Sequence, residues 1–173
     1  MSHGVVIADA GPLIALARID ALALLRGLFG RIYITRTVRA EILPAGDRFP
    51  DVDLLLHTLA EGWIEITDDP TDAPASERAP LNPGIHAGEA SAIRLACQWR
   101  DAGDAVLLVM DDRAGRLEAR SRGLALIGTA ALIGLAKTQG LIPEARPLLE
   151  RLGQAGYFIG PPVLAAVLAE VGE

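Results

Sequence analysis

Four acidic positions in this chain stand beside segments that ought to be buried: Asp9, Glu41, Glu89 and the pair Asp111-Asp112. Asp9 ends the apolar run Val5-Val6-Ile7-Ala8, which suits a strand covered on both faces, and Gly11-Pro12 then turns the chain into a helix. A second apolar run, Ala105 to Met110, ends the same way on Asp111-Asp112. Glu41 follows Val38 by three residues, beside an apolar helical stripe, and Glu89 shares a helical face with Ala92, Ile93 and Ala96. Carboxylates on buried faces are costly unless paired or bound to metal. Two of them about 4 Å apart repel by about 4 kcal/mol at an effective dielectric near 20. If they converge, the cluster must hold protons or recruit divalent cations. Oxygen-only donors favour Mg2+ or Mn2+ over zinc, and such ions polarise phosphodiesters and activate water for in-line attack. The chemistry points to phosphodiester hydrolysis.

Each acid also has a plainer reading. Asp9 at a strand end can cap the following helix, and Glu41 can pair locally with Arg36 or Arg39. Glu89 in an early helical turn is favoured by the macrodipole, and one of Asp111-Asp112 can be a turn residue. The joint pattern is more specific than its parts.

The elements that must position these groups alternate along the chain. Strands are expected at Val5–Ala8, Ile32–Thr35, Trp63–Ile66, Ala105–Met110 and Leu124–Ile127. Helices are expected at Leu13–Leu28, Val38–Leu43, Val52–Ala60, Ala87–Trp99, Ala114–Ser121 and Ala130–Thr138, with Asp20 a candidate break in the first. This rhythm implies a parallel sheet covered on both faces, with ligands at the carboxyl ends of its strands. Pro44–Pro50 and Asp68–Pro83 read as turn-rich surface loops. After Gly140 come two further helices, Glu144–Gly153 and Val163–Val171, whose apolar faces pack on the core or serve a dimer or partner.

At 173 residues the chain is expected to form a single domain, with a core from about residue 4 to 140 and a helical extension over about 141–173. A lone Cys97 argues against a disulfide framework and against a cysteine-based zinc site. His3, His57 and His86 lack metal-ligand spacing, and His86 reads as a helix-start residue. No signal peptide or membrane-length apolar run is evident, so a soluble cytoplasmic protein is expected. A net charge of −6 does not advertise a nucleic-acid binder, yet a carboxylate cluster would be neutralised locally by metal. A flavodoxin-like phosphate binder fits the alternation but would need a glycine-rich phosphate loop that the chain lacks.

The succession Asp9-Ala10-Gly11-Pro12-Leu13-Ile14-Ala15-Leu16, Val38-Arg39-Ala40-Glu41-Ile42, Gly88-Glu89-Ala90-Ser91-Ala92-Ile93 and Asp111-Asp112-Arg113 resembles the PIN-domain nucleases. The likeness is to a prokaryotic PIN-like branch related to VapC-type toxins, in which Asp-Asp-Arg is followed by Ala and Arg and then by Gly-Thr. Those residues stand here as Arg113-Ala114-Gly115-Arg116 and Gly128-Thr129. The resemblance implies an α/β fold of three layers, α/β/α, with a central parallel sheet of strand order 3-2-1-4-5 and a C-terminal helical extension. It implies a metal-dependent endoribonuclease, the toxin of a toxin–antitoxin pair, with Asp9, Glu41, Glu89 and Asp112 catalytic. Asp9, Asp112, Glu89 and, second to Asp112, Asp111 would hold Mg2+ or Mn2+, and Arg113, Arg116 and Thr129 would meet the RNA. The implied partners are RNA, a small antitoxin protein and a second copy of the chain, with no membrane. Two departures stand out: Ala10 and Gly11 replace the hydroxyl many such enzymes carry after the first Asp, and Glu89 replaces the commoner Asp. A PIN-like module that binds RNA or protein without cleaving it is the alternative.

Overall fold

The computed structural model describes residues 4–43, 50–70 and 80–173, so the expected loops at Pro44–Pro50 and Asp68–Pro83 lie largely outside the described residues, as does His3. Five strands, β1 (Val5–Ala8), β2 (Ile32–Thr35), β3 (Ile64–Thr67), β4 (Val106–Val109) and β5 (Ala125–Ile127), form one parallel sheet in the order β3-β2-β1-β4-β5. Helices cover both faces, giving the three-layer α/β/α arrangement. They are α1 (Ala10–Arg18), α2 (Ala23–Phe29), α3 (Arg36–Ile42), α4 (Pro50–Ala60), α5 (Ala87–Asp101), α6 (Arg113–Ser121), α7 (Thr129–Thr138), α8 (Arg146–Gln154) and α9 (Pro161–Glu170). Helix α1 packs against α4 and α7, whereas α5 packs against α3 and α6. The core is continuous through the sheet: Ile7, Ile34, Leu108, Leu13, Ile93 and Leu132 have no accessible surface. None of the helices among the described residues is long and apolar enough to cross a membrane.

The register of β1 against β4 decides where the chemistry sits. Val5 pairs with Val106 and Ala8 with Val109, so the next residues, Asp9 and Met110, leave the sheet side by side. The Asp9 amide still donates to the Val109 carbonyl at 3.0 Å. Sequence order reverses at this pair of strands, which is where an open α/β sheet offers a crevice at its carboxyl edge.

Several boundaries fall a residue or two from those expected, each for a local reason. Strand β4 ends at Val109 rather than Met110, because the Met110 carbonyl accepts from Arg116 Nη1 at 2.8 Å instead of joining the ladder. Helix α3 starts at Arg36, two residues early, because the Thr35 hydroxyl accepts from the Val38 amide at 3.1 Å and so caps it. The expected helix Leu13–Leu28 is two helices. Asp20 lies between them in the left-handed region at φ 54°, its amide donating to Ala17 and that of Ala21 to Leu16, at 3.1 and 2.9 Å. This is a Schellman ending with aspartate in the place usually held by glycine.

The C-terminal helices bury Leu149, Leu152, Val167 and Leu168 in the common core, while Val163 stays half exposed. Helix α8 also ends in a Schellman turn: Gly156 sits at φ 85°, its amide bonded to the Gly153 carbonyl and that of Tyr157 to Leu152. Glu173 ties the extension down, accepting from the amides of Ala145 and Arg146 and from Lys137 Nζ at 2.8–2.9 Å.

Left-handed backbone costs a residue with a Cβ about 1–2 kcal/mol, somewhat less for Asp. Asp20→Gly should therefore raise stability by about 0.5–1 kcal/mol and Asp20→Val lower it by about 1–2 kcal/mol. Urea denaturation midpoints of the three proteins check the order.

Candidate functional site

At the carboxyl edge of β1 and β4 lies an open cleft of about 440 Å³. Asp9, Glu41, Glu89, Asp111 and Asp112 all line it, together with His86 and Tyr157. The fold thus gathers five acids from four separate stretches of chain.

Asp9 is the most constrained. It is only 5 % exposed, it occupies the cap position of α1 without a side-chain capping bond, and its Oδ1 has no hydrogen-bond partner among the described residues. Burial pushes its carboxyl up to about 7; the amides of Ala10 and Gly11 pull the other way, and the nearby charges of Glu89 and Glu41 push it further up. The group is poised between a proton and some other positive charge.

The remaining acids are held by protein donors. Glu41 stays on the solvent side of α3, between the buried Val38 and Ile42, and turns its carboxylate onto α5, where Oε1 accepts from the Gly88 amide at 2.8 Å. A methyl at Gly88 would fall 2.6 Å from the Glu41 carboxyl carbon, so only glycine admits this approach. Glu89 is 7 % exposed and closes a capping box at the start of α5: Oε2 accepts from the His86 amide and Oε1 meets His86 Nδ1, both at 3.2 Å. That hydrogen bond, with the Glu89 charge behind it, raises the exposed His86 imidazole above its ordinary value. Asp112 is exposed at the cap of α6, where Oδ2 accepts from the Gly115 amide at 2.9 Å.

Asp111 and Thr129 are bound to each other. Asp111 Oδ1 accepts from the Thr129 amide at 2.8 Å and Oδ2 from its hydroxyl at 2.5 Å, fastening the end of β4 to the start of α7. Thr129 is fully buried, so its hydroxyl works on Asp111. Arg116 spends Nη1 on the Met110 carbonyl, and Arg113 is exposed at the first turn of α6. One cleft residue had no signal in the sequence. Tyr157 comes from the loop between α8 and α9, far in sequence from every acid of the cleft, and reaches Asp111 and Thr129 with its hydroxyl. Burial and the Asp111 charge raise that phenol, so it keeps its proton and donates. Its only sequence mark is its place after a turn glycine.

Among the described residues no three His, Cys, Asp or Glu side chains stand together closely enough to hold one ion in this conformation. The donor types nonetheless fit a hard divalent cation. Asp9 Oδ1 is buried and unpartnered, while Glu41 and Asp112 each commit one carboxylate oxygen and leave the other without a hydrogen bond among the described residues. Glu89 and Asp111 have both oxygens engaged.

Residues 5–173 match a family model described as a PIN domain. No curated protein matches the chain.

Two outcomes follow from the geometry. An acid whose folded value, about 7, lies above its ordinary 3.8 binds more protons folded than unfolded between those limits, so its contribution to stability falls as pH rises from about 4 to 7. Asp9→Asn removes that term. In urea titrations the variant should gain on the wild type across this window, by up to about 4 kcal/mol, and millimolar Mn2+ at pH 8 should stabilise only the wild type. Parallel pH curves would contradict the burial account of Asp9. Gly88→Ala, in contrast, improves helix propensity by about 1 kcal/mol while evicting the Glu41 carboxylate. Its melting temperature should hold or rise while any cation-dependent activity falls, a split that paired thermal and activity assays would reveal.

Proposed function

The chain belongs to the PIN-domain family, whose members are generally nucleases, and on that premise we propose that it is a metal-dependent endoribonuclease that hydrolyses RNA phosphodiester bonds. The observation that carries the reading is the buried, unpartnered Asp9 oxygen in a cleft of further carboxylates. Asp9, Glu41 and Asp112 would hold Mg2+ or Mn2+, with Glu89 next to them. A divalent cation bound there supplies Lewis-acid polarisation of the phosphodiester and offsets the crowding of negative charge.

The chain's own residues then divide the remaining work. Asp9, with its carboxyl near 7, can exchange a proton at neutral pH as the cation comes and goes. Asp111, clamped by Thr129, fixes the end of β4 from which Asp112 follows. His86 is kept cationic to higher pH by Glu89 and lies on the open side of the cleft, where it can donate to a phosphate oxygen. Arg113, exposed beside Asp112, can do the same.

By its resemblance to VapC-type proteins the chain would be the toxin of a toxin–antitoxin pair, acting in the cytoplasm and restrained by a small antitoxin. A short upstream reading frame encoding a DNA-binding protein would support that role. A non-cleaving PIN module is favoured by one observation, the absence of three converging ligands among the described residues.

The direct test is cleavage of single-stranded RNA by the purified chain with added Mg2+ or Mn2+. Asp9→Asn should lower the rate by at least about 10²–10³-fold, the scale of removing one preorganised electrostatic group, and chelator should abolish cleavage. Cleavage that survived both would overturn the metal mechanism.

A further inference from the structure

Beyond the acidic cleft, the surface of the described residues carries one aromatic side chain that the fold does not use. Phe158 is 85 % exposed, the largest value among the exposed large hydrophobic residues, all the others of which are aliphatic. The other aromatic residues with described burial are buried or half-buried. The Schellman turn at Gly156 produces this contrast, sending Tyr157 inward to Asp111 and leaving the next residue in water. Phe158 borders a recess of about 250 Å³ whose walls include Ile159, Val163, Ala131 and the guanidinium-bearing Arg116. Asp111 and Tyr157 line both this recess and the acidic cleft, so the two adjoin. A second recess, of about 360 Å³, opens against the same residue on the side of α8.

We propose that Phe158 and this recess form a subsite that stacks an unpaired nucleobase of single-stranded RNA adjoining the phosphodiester held in the acidic cleft. The inference rests on the ribonuclease reading above and adds to it how the substrate is gripped. An apolar wall, a free aromatic face and one guanidinium match a base, which offers a π-face and polar edges. The charge balance argues the same way. With a net charge of −6 and an acidic cleft, the phosphate contacts of His86 and Arg113 are partly offset, and base stacking adds affinity that charge does not supply. A duplex, whose bases are already stacked, would gain nothing from Phe158.

The test uses the full chain carrying Asp9→Asn, so that RNA stays intact, and short single-stranded oligoribonucleotides containing 2-aminopurine. Quenching of the probe on binding, with affinity reduced about tenfold or more by Phe158→Ala and retained by Phe158→Trp, is the expected result. In the otherwise wild-type enzyme, Phe158→Ala should raise KM by a similar factor with kcat little changed. Because the side chain is exposed, the variant's melting temperature should not move. Binding and cleavage indifferent to Phe158→Ala would overturn the base subsite and leave the nuclease reading standing. Neither binding nor cleavage of any RNA by the wild type would overturn both. Concentration-dependent self-association lost in Phe158→Ala, with RNA binding unchanged, would assign the recess to a second copy of the chain and overturn the proposal.

Discussion

Everything at the carboxyl edge of the sheet answers to one buried carboxylate. Asp9 is carried into the core by four apolar residues that pair with β4, so its position is fixed before its own preferences count. A lone ionised group there would be expensive to desolvate, and the protein meets the cost with direction as well as protonation. Among the helices that begin at this edge, four start beside the acids. Asp9 stands at the cap position of α1, His86 caps α5, Asp112 caps α6, and Asp111 receives the first amide of α7. Each start turns free amides and the positive end of a dipole toward the acids, which lowers their mutual repulsion, and His86 adds a cationic partner for Glu89. That leaves Asp9 Oδ1 as the one buried side-chain acceptor unmet among the described residues.

A short polar chain sets the distance between the two helices that bring in glutamates. Ser91 Oγ donates to the Gly88 carbonyl at 2.8 Å, which spends its proton. The bond between Ser91 and Thr35, 2.7 Å long and buried, must then run from the Thr35 hydroxyl to Ser91. Thr35 still accepts from Val38 and so starts α3, one turn before Glu41. Glu41 closes the circuit on the Gly88 amide. Helices α3 and α5 are thereby coupled through satisfied groups, and the bare Cα of Gly88 is what lets the carboxylate reach across.

The sequence displayed whatever depends on local pattern. Strand-end acids at Asp9 and Asp112, the helical face of Glu89, the starting role of His86 and the break at Asp20 all follow from neighbours within a turn or two. The parallel order of the sheet came from family likeness, since spacing along the chain does not fix register. Partners distant in sequence were hidden. Nothing near Glu41 announces Gly88, 47 residues away, and nothing near Tyr157 announces Asp111. Arg116 illustrates the limit: its charge suggested phosphate, while the fold gives part of its guanidinium to a carbonyl six residues back. Thr129 likewise looked available to substrate and is instead the buried clamp of Asp111.

The C-terminal helices belong to the same electrostatic arrangement. Glu173 bonds Lys137 and two amides ahead of α8, which holds its carboxyl down at about 2. A depressed acid contributes stability above its ordinary 4.5 and loses it as pH falls toward 2, the opposite of Asp9, whose contribution fades as pH rises toward 7. Acid favours the buried carboxylate while neutral pH favours the clamp on the helices that deliver Tyr157. Between those limits the fold holds its tail firmly and its central acid under strain, and at neutral pH that strain can be relieved by a cation in place of a proton. The clamp and the cleft are joined through Tyr157, so ordering the tail and tuning the site are one structural task.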